Sequence, residues 1–299
     1  MRGVYTAVIT PFTAFNEVDY PALKKILQDQ KEAGISGVVA CGTTGETPCL
    51  SSDEKKKVIQ TCIAELKGSA TKVLAGTGTN NTPETIAFSK WASDQGVDGI
   101  LVVTPYYNKP SPLGLEEHFL KVADAVSCEI MLYNVPGRTG TSLTIDTLCK
   151  LAAHPRIRSL KEATGNVELT SQIIDALELG KLKLDILSGD DATYLPLLSV
   201  GACGVVSVAS NLFPRGMVAI QKAMDSQNVT EARRLHQKFY PLFRDLFVES
   251  NPVPVKFCMA HLGFGETHVR APLVKLTAPS EKKLTDSMKR CGIEAGGRF

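Results

Sequence analysis

No stretch of this sequence approaches the roughly 20 apolar residues that a membrane-spanning helix needs. The opening Met1-Arg2-Gly3-Val4-Tyr5 runs straight into a strand-like segment without a signal-peptide pattern, so a cytoplasmic protein is expected. Charge of one sign is lacking as well: 33 Lys and Arg stand against 31 Asp and Glu, a formal net charge of +2. With no basic stripe and no acidic tail, neither nucleic acid nor a membrane surface is indicated as a partner, and a small molecule is. The eight cysteines are scattered singly, with no Cys-x-x-Cys spacing and no cysteine–histidine cluster, which argues against a disulfide framework or a zinc site. They read as reduced, mostly buried small hydrophobes. No Gly-x-Gly-x-x-Gly turn follows an early strand, and no low-complexity tract is present.

What is there is a rhythm. Short β-branched runs recur at 4–10, 37–40, 72–76, 99–103, 129–133, 158–161, 184–188 and 204–208, with helix-length segments between them. The runs are near-continuously apolar and do not alternate, as parallel strands covered on both faces require. Tyr20 to Ala33 carries Leu23, Ile26 and Leu27 on one face, and Ser52-Asp53-Glu54 opens the helix Lys55 to Leu66 with a capping pattern. Ala33-Gly34, Gln95-Gly96 and Leu179-Gly180 mark helix ends where glycine takes a left-handed turn. Eight β/α units over about 220 residues predict a (β/α)8 TIM barrel, whose usual size is roughly 250 residues. An open doubly wound sheet is the structural alternative. Past about residue 225 the strand signal stops, and helices are expected over 229–247, 254–262 and 280–291. The domain reading is a catalytic barrel over 1–224 and a C-terminal helical appendage over 225–299, with Glu249-Ser250-Asn251-Pro252-Val253-Pro254 as the clearest break.

Such barrels carry their chemistry where strands end and loops begin. The second strand ends in Gly42-Thr43-Thr44-Gly45-Glu46, two hydroxyls between glycines whose backbone N–H groups suit a carboxylate. The fourth ends in Thr104-Pro105-Tyr106-Tyr107-Asn108, and the fifth in Tyr133-Asn134-Val135-Pro136-Gly137-Arg138. A tyrosine hydroxyl can relay a proton, and an arginine can hold a carboxylate in a bidentate fork. The sixth ends at Lys161, an amine that desolvation would make a Schiff-base nucleophile. Asp190-Asp191 after the seventh strand reads as capping or support, because no further carboxylates or histidines at other strand ends complete a metal site. The five histidines lie on helices or loops away from these ends and receive no catalytic role. No cofactor is called for.

Taken together, Gly42-Thr43-Thr44-Gly45-Glu46, Tyr106-Tyr107-Asn108-Lys109-Pro110, Tyr133-Asn134-Val135-Pro136 with Arg138-Thr139, and Lys161-Glu162-Ala163-Thr164-Gly165 resemble the dihydrodipicolinate synthase family. The resemblance runs from about residue 3 to 290, four spaced motifs in the right order on the right strand ends. It implies that pyruvate forms an imine with Lys161 and that the derived enamine attacks L-aspartate 4-semialdehyde. It also implies that Tyr133 gives and takes the proton, linked through Thr43 to Tyr107. Thr44 and the backbone at Val206 would bind pyruvate, and Arg138 the carboxylate of the aldehyde. A homotetramer, a dimer of dimers in which Tyr107 enters the neighbouring subunit's site, is the family's usual assembly. Asn80, Glu84 and Tyr106 match the polar lining of the pocket where inhibited relatives bind lysine. Ser52 and Lys55, however, stand where those relatives place histidines, and a like charge at Lys55 disfavours a lysine ligand. Weak or absent inhibition is expected. A lyase of the wider superfamily that includes N-acetylneuraminate lyase is the alternative enzyme, and a silent keto-acid-binding relative the alternative outside catalysis.

Overall fold

The computed structural model describes residues 1–294. Its strands are β1 (Gly3–Ala7), β2 (Gly37–Ala40), β3 (Lys72–Gly76), β4 (Gly99–Val103), β5 (Glu129–Asn134), β6 (Ile157–Glu162), β7 (Asp185–Ser188) and β8 (Gly204–Ser207). They are joined in the order β1 to β8 as a closed barrel, with helices between successive strands. Each expected strand is present. The reason is visible in burial: β2 and β8 are buried at every residue, and β4 and β5 at all but one, as a sheet covered on both faces demands. The doubly wound alternative falls with the closure of the barrel.

Helix ends follow the sequence with two differences. The helix Ser52–Leu66 is capped by Ser51, whose hydroxyl accepts from Glu54 N while Glu54 returns a carboxylate to Ser51 N, a capping box one residue earlier than expected. Adjacent serines offer the same chemistry, and only the backbone angles choose between them. Gly34 and Gly96 do take left-handed angles, but Gly180 does not, and Lys181 holds the positive φ of 52° instead. The three expected C-terminal helices are Val229–Asp245, Val253–His261 and Ala278–Cys291.

The chain divides into two compact units, one of residues 1–2 and 73–206, the other of residues 3–72 and the chain from 207 on. In the first, β5 and β6 are paired with one irregularity. Ile130 lies opposite Ile157, but Met131 lies opposite Ser159, so Arg158 is an extra residue in β6. From there Tyr133 pairs with Lys161 and Asn134 with Glu162. In the second unit β1 and β2 run in parallel, with Tyr5 opposite Gly37. A Cβ at Gly37 would stand 2.5 Å from the Tyr5 ring and 2.9 Å from the Lys72 carbonyl oxygen, so the close approach of the strand to that ring requires glycine.

Candidate active site

Lys161 closes the first unit's cluster. Its side chain is 6 % exposed, and its Nζ stands 4.2 Å from the centroid of the Tyr133 ring, itself buried. Among the described residues Lys161 makes no ion pair and no hydrogen bond. The strand end beneath it is firmly tied. The buried Glu162 carboxylate accepts from Asn134 Nδ2 at 2.8 Å and from Thr164 N at 2.6 Å, while Asn134 Oδ1 accepts from Leu143 N at 3.1 Å and from Ser142 Oγ at 3.3 Å. Each hydrogen-bonding group of this Asn–Glu pair is occupied locally, so neither side chain is turned to the neighbouring amine. Sequence reading quoted Asn134 and Glu162 within motifs but gave them no task.

Tyr106, Tyr107 and Arg138 sit on the loops that follow β4 and β5. Thr104 Oγ1 donates to Thr139 Oγ1 at 3.2 Å, and Tyr107 N donates to Thr139 O at 3.4 Å, which joins these two loops. Asn108 Nδ2 donates to Asn80 O at 2.9 Å. Tyr107 has φ of 73° and Lys109 of 43°, left-handed angles that side-chain-bearing residues seldom adopt. The Tyr107 ring is 89 % exposed, and Arg138 and Glu84 are also in solvent. Asn80 is half-buried, and Tyr106 is partly exposed. Val206, within β8, is fully enclosed. The Asp190 carboxylate accepts from Thr193 Oγ1 at 3.2 Å and makes no cap to a helix N–H; it supports its own turn.

Thr43 and Thr44 lie on the loop after β2 in the second unit, Thr43 half-buried and Thr44 enclosed. The loop is folded on itself by Gly45 N to Gly42 O and Glu46 N to Thr43 O, and Thr10 Oγ1 donates to Gly45 O at 2.8 Å. A Cβ on Gly45 would meet Cys41 N, Thr10 Oγ1 and Val8 O, all at 3.3 Å. Two features of this loop escaped the sequence. Asn251 Nδ2 donates to Thr44 Oγ1 at 3.0 Å. Glu46, in a left-handed conformation with φ of 53°, receives Lys256 Nζ at 2.5 Å and Arg270 N at 3.0 Å. Lys256 and Glu46 are both fully enclosed, and the ammonium lies 3.9 Å from the Phe12 ring centroid. Burial draws the Lys256 pKa down to about 8 against the opposing pull of Glu46. Arg270 also forks onto Glu54 at 2.6 and 2.8 Å, and that bond holds the Glu54 carboxyl down to about 2.

The eight cysteines are free, as expected, and five are buried; burial pushes the thiols of Cys41 and Cys258 up to about 12, so they are poor nucleophiles. His118 is buried on the helix Pro112–Asp124 with Nδ1 2.9 Å from Thr82 Oγ1, and burial pulls its pKa down to about 4. Among the described residues no cluster of three or more His, Cys, Asp or Glu could hold a metal ion, and no helix is long and apolar enough to cross a membrane.

Three kinds of comparison agree. The model of the dihydrodipicolinate synthetase family matches residues 1–291. The 4-hydroxy-tetrahydrodipicolinate synthase of Leptospira biflexa is 43 % identical over 296 residues, 98 % of this chain and 99 % of that one. Among solved structures, the 4-hydroxy-tetrahydrodipicolinate synthase of Methylacidiphilum fumariolicum superposes with a TM-score of 0.94 at 44 % identity, covering 98 % of this chain and 96 % of the other. The dihydrodipicolinate synthase of Cyanidioschyzon merolae, solved with lysine bound, gives a TM-score of 0.93 at 38 % identity over 98 % of each chain.

Proposed function

The chain belongs to the dihydrodipicolinate synthetase family, and from that premise we propose that it is a lyase that condenses pyruvate with L-aspartate 4-semialdehyde. The product is 4-hydroxy-tetrahydrodipicolinate, and the reaction is the first committed step of lysine biosynthesis through diaminopimelate. The observation that carries this reading is Lys161: an enclosed amine at the end of β6, 4.2 Å from the centroid of the Tyr133 ring, with no carboxylate partner among the described residues.

The neutral amine adds to C2 of pyruvate, and loss of water gives the imine, whose positive nitrogen draws electrons from C3. Removal of a C3 proton yields the enamine, which forms the new carbon–carbon bond to the aldehyde carbon. The amino group of the second substrate then displaces Lys161 from the imine carbon, which closes the ring and frees the enzyme. Tyr133 gives and takes the protons, with Thr43 and Tyr107 as its relay. Thr44 and the Val206 backbone hold the pyruvate carboxylate, and Arg138 the carboxylate of the aldehyde. Nothing in this sequence of steps calls for a cofactor.

The working form is a cytoplasmic homotetramer, a dimer of dimers. A tyrosine 89 % exposed in the single chain, on a backbone at φ of 73°, is what a side chain destined for a neighbouring subunit's site should look like. Residues 1–224 form the catalytic barrel and 225–299 the C-terminal helical domain, of which 295–299 lie outside the described residues. Asn80, Glu84 and Tyr106 line the lysine pocket, weakened here by Lys55.

Borohydride reduction in the presence of pyruvate, followed by peptide mass mapping, tests the mechanism. The adduct is expected on Lys161 alone, and an unmodified Lys161 or an adduct elsewhere would overturn it. Turnover of N-acetylneuraminate in place of the aldehyde condensation would favour the lyase alternative.

A further inference from the structure

We propose that Asn251 is a positioning residue for the pyruvate carboxylate, acting through the hydroxyl of Thr44; this rests on the role given to Thr44 above. The two residues are 207 positions apart, and Asn251 Nδ2 reaches Thr44 Oγ1 at 3.0 Å with side chains 6 % and 2 % exposed. The sense of that bond decides its consequence. An amide nitrogen only donates, so the Thr44 oxygen is engaged as acceptor and its proton is left to point elsewhere. A hydroxyl held that way is a donor to an anion. With the amide reversed, Asn251 Oδ1 would take the Thr44 proton, and the oxygen lone pairs would face and repel a carboxylate.

Two further observations support the assignment. Asn251 Oδ1 is itself buried with no hydrogen-bond partner. A buried carbonyl oxygen left bare is costly, so it is the nitrogen of this amide, bonded to Thr44, that gives the side chain its contact here. The loop carrying Thr44 is also fixed from the same segment of chain that carries Asn251. Five residues after Asn251, Lys256 grips Glu46, two residues after Thr44, at 2.5 Å. With both ends of the contact anchored, the Thr44 oxygen has little freedom to seek another donor.

The test is steady-state kinetics on the full enzyme with pyruvate and L-aspartate 4-semialdehyde, for wild type, Asn251→Leu, Asn251→Asp, Thr44→Val and the double variant Thr44→Val/Asn251→Leu. A hydrogen bond to a charged group sets the scale, so Asn251→Leu should raise the pyruvate KM about tenfold to a hundredfold. Asn251→Asp, the same size but acceptor only, should raise it further. The KM for the semialdehyde should stay within about twofold, and adding Asn251→Leu to Thr44→Val should change the pyruvate KM by less than about twofold. The inference is overturned if Asn251→Leu leaves the pyruvate KM unchanged, if both KM values rise together, or if the penalty persists in the Thr44→Val background. If Asn251→Leu shows no cooperative melting transition, Asn251→Asp decides by the same criteria. Borohydride labelling of wild type at saturating pyruvate keeps the two readings apart. Absence of label on Lys161 sinks the function proposed above, whereas label with unaltered variant kinetics sinks only the role of Asn251.

Discussion

Lys161 and Lys256 are both enclosed, and the Nζ of each lies over an aromatic ring, at 4.2 Å from Tyr133 and 3.9 Å from Phe12. They part company at the counter-ion. Lys256 meets Glu46 at 2.5 Å, within a chain of contacts that runs on through Arg270 to Glu54. Lys161 has no carboxylate partner among the described residues, and the nearby Glu162 is turned to Asn134 and Thr164 N. Burial by itself therefore does not make a nucleophile. An amine held by a carboxylate on one side and packed on a ring on the other is committed to that contact, whereas an enclosed amine with no such partner is not. The proposed function gives one lysine the task of reacting, and the ion pair gives the other the task of holding a loop.

The contrast breaks most sharply at Lys161. Lys161→Met should lower kcat by at least about a thousandfold, because the covalent intermediate is lost, while the melting temperature stays near that of wild type since no charge is stranded. A substantial residual rate, or a collapse in stability, would show that the two lysines had been assigned the wrong way round. Lys256→Met should do the reverse, costing about 3–5 kcal/mol of stability in urea unfolding because Glu46 is left buried and unpaired. Adding Glu46→Gln should restore part of that loss by removing the stranded charge. If Lys256→Met unfolds no more easily than wild type, the pair is not a structural clamp. The smallest expected effect sharpens a different edge of the site. Millimolar L-lysine should leave the rate at saturating pyruvate nearly unchanged, and abolition of activity would show that Lys55 does not weaken the lysine pocket proposed at Asn80, Glu84 and Tyr106.

The barrel was legible because it is written locally. Each strand is an apolar run, and each strand-end motif falls within a few residues of that run, so Lys161, Tyr133 and Thr44 were visible as strand-end candidates, while their separate tasks came from the family resemblance. The misjudged details were choices between near-equivalent neighbours, Ser51 against Ser52 as a cap and Lys181 against Gly180 as the left-handed residue. What could not be read was contact at long range. Glu46 and Lys256 are 210 residues apart, and Lys256 sits in an otherwise apolar helix where a lysine would be taken for a solvent-facing residue. Asn251 was seen only as part of a break before proline, because nothing near it in sequence names Thr44 as its partner.

The extra residue at Arg158 carries a consequence of parity. Were Arg158 paired in regular register instead of bulged out, Met131 would face Arg158 and Tyr133 would face Leu160, and Lys161 would lie opposite Asn134, on the other face from Tyr133. The meeting of phenol and amine is thus set by a count, the number of residues between Ile157 and Lys161, as much as by the identities of the two side chains. A residue inserted between Ile157 and Lys161, with the bulge kept, would leave every one of these side chains in the sequence and still carry Lys161 out of register with Tyr133, so the pairing is spelled partly in spacing, where substitutions cannot reach it.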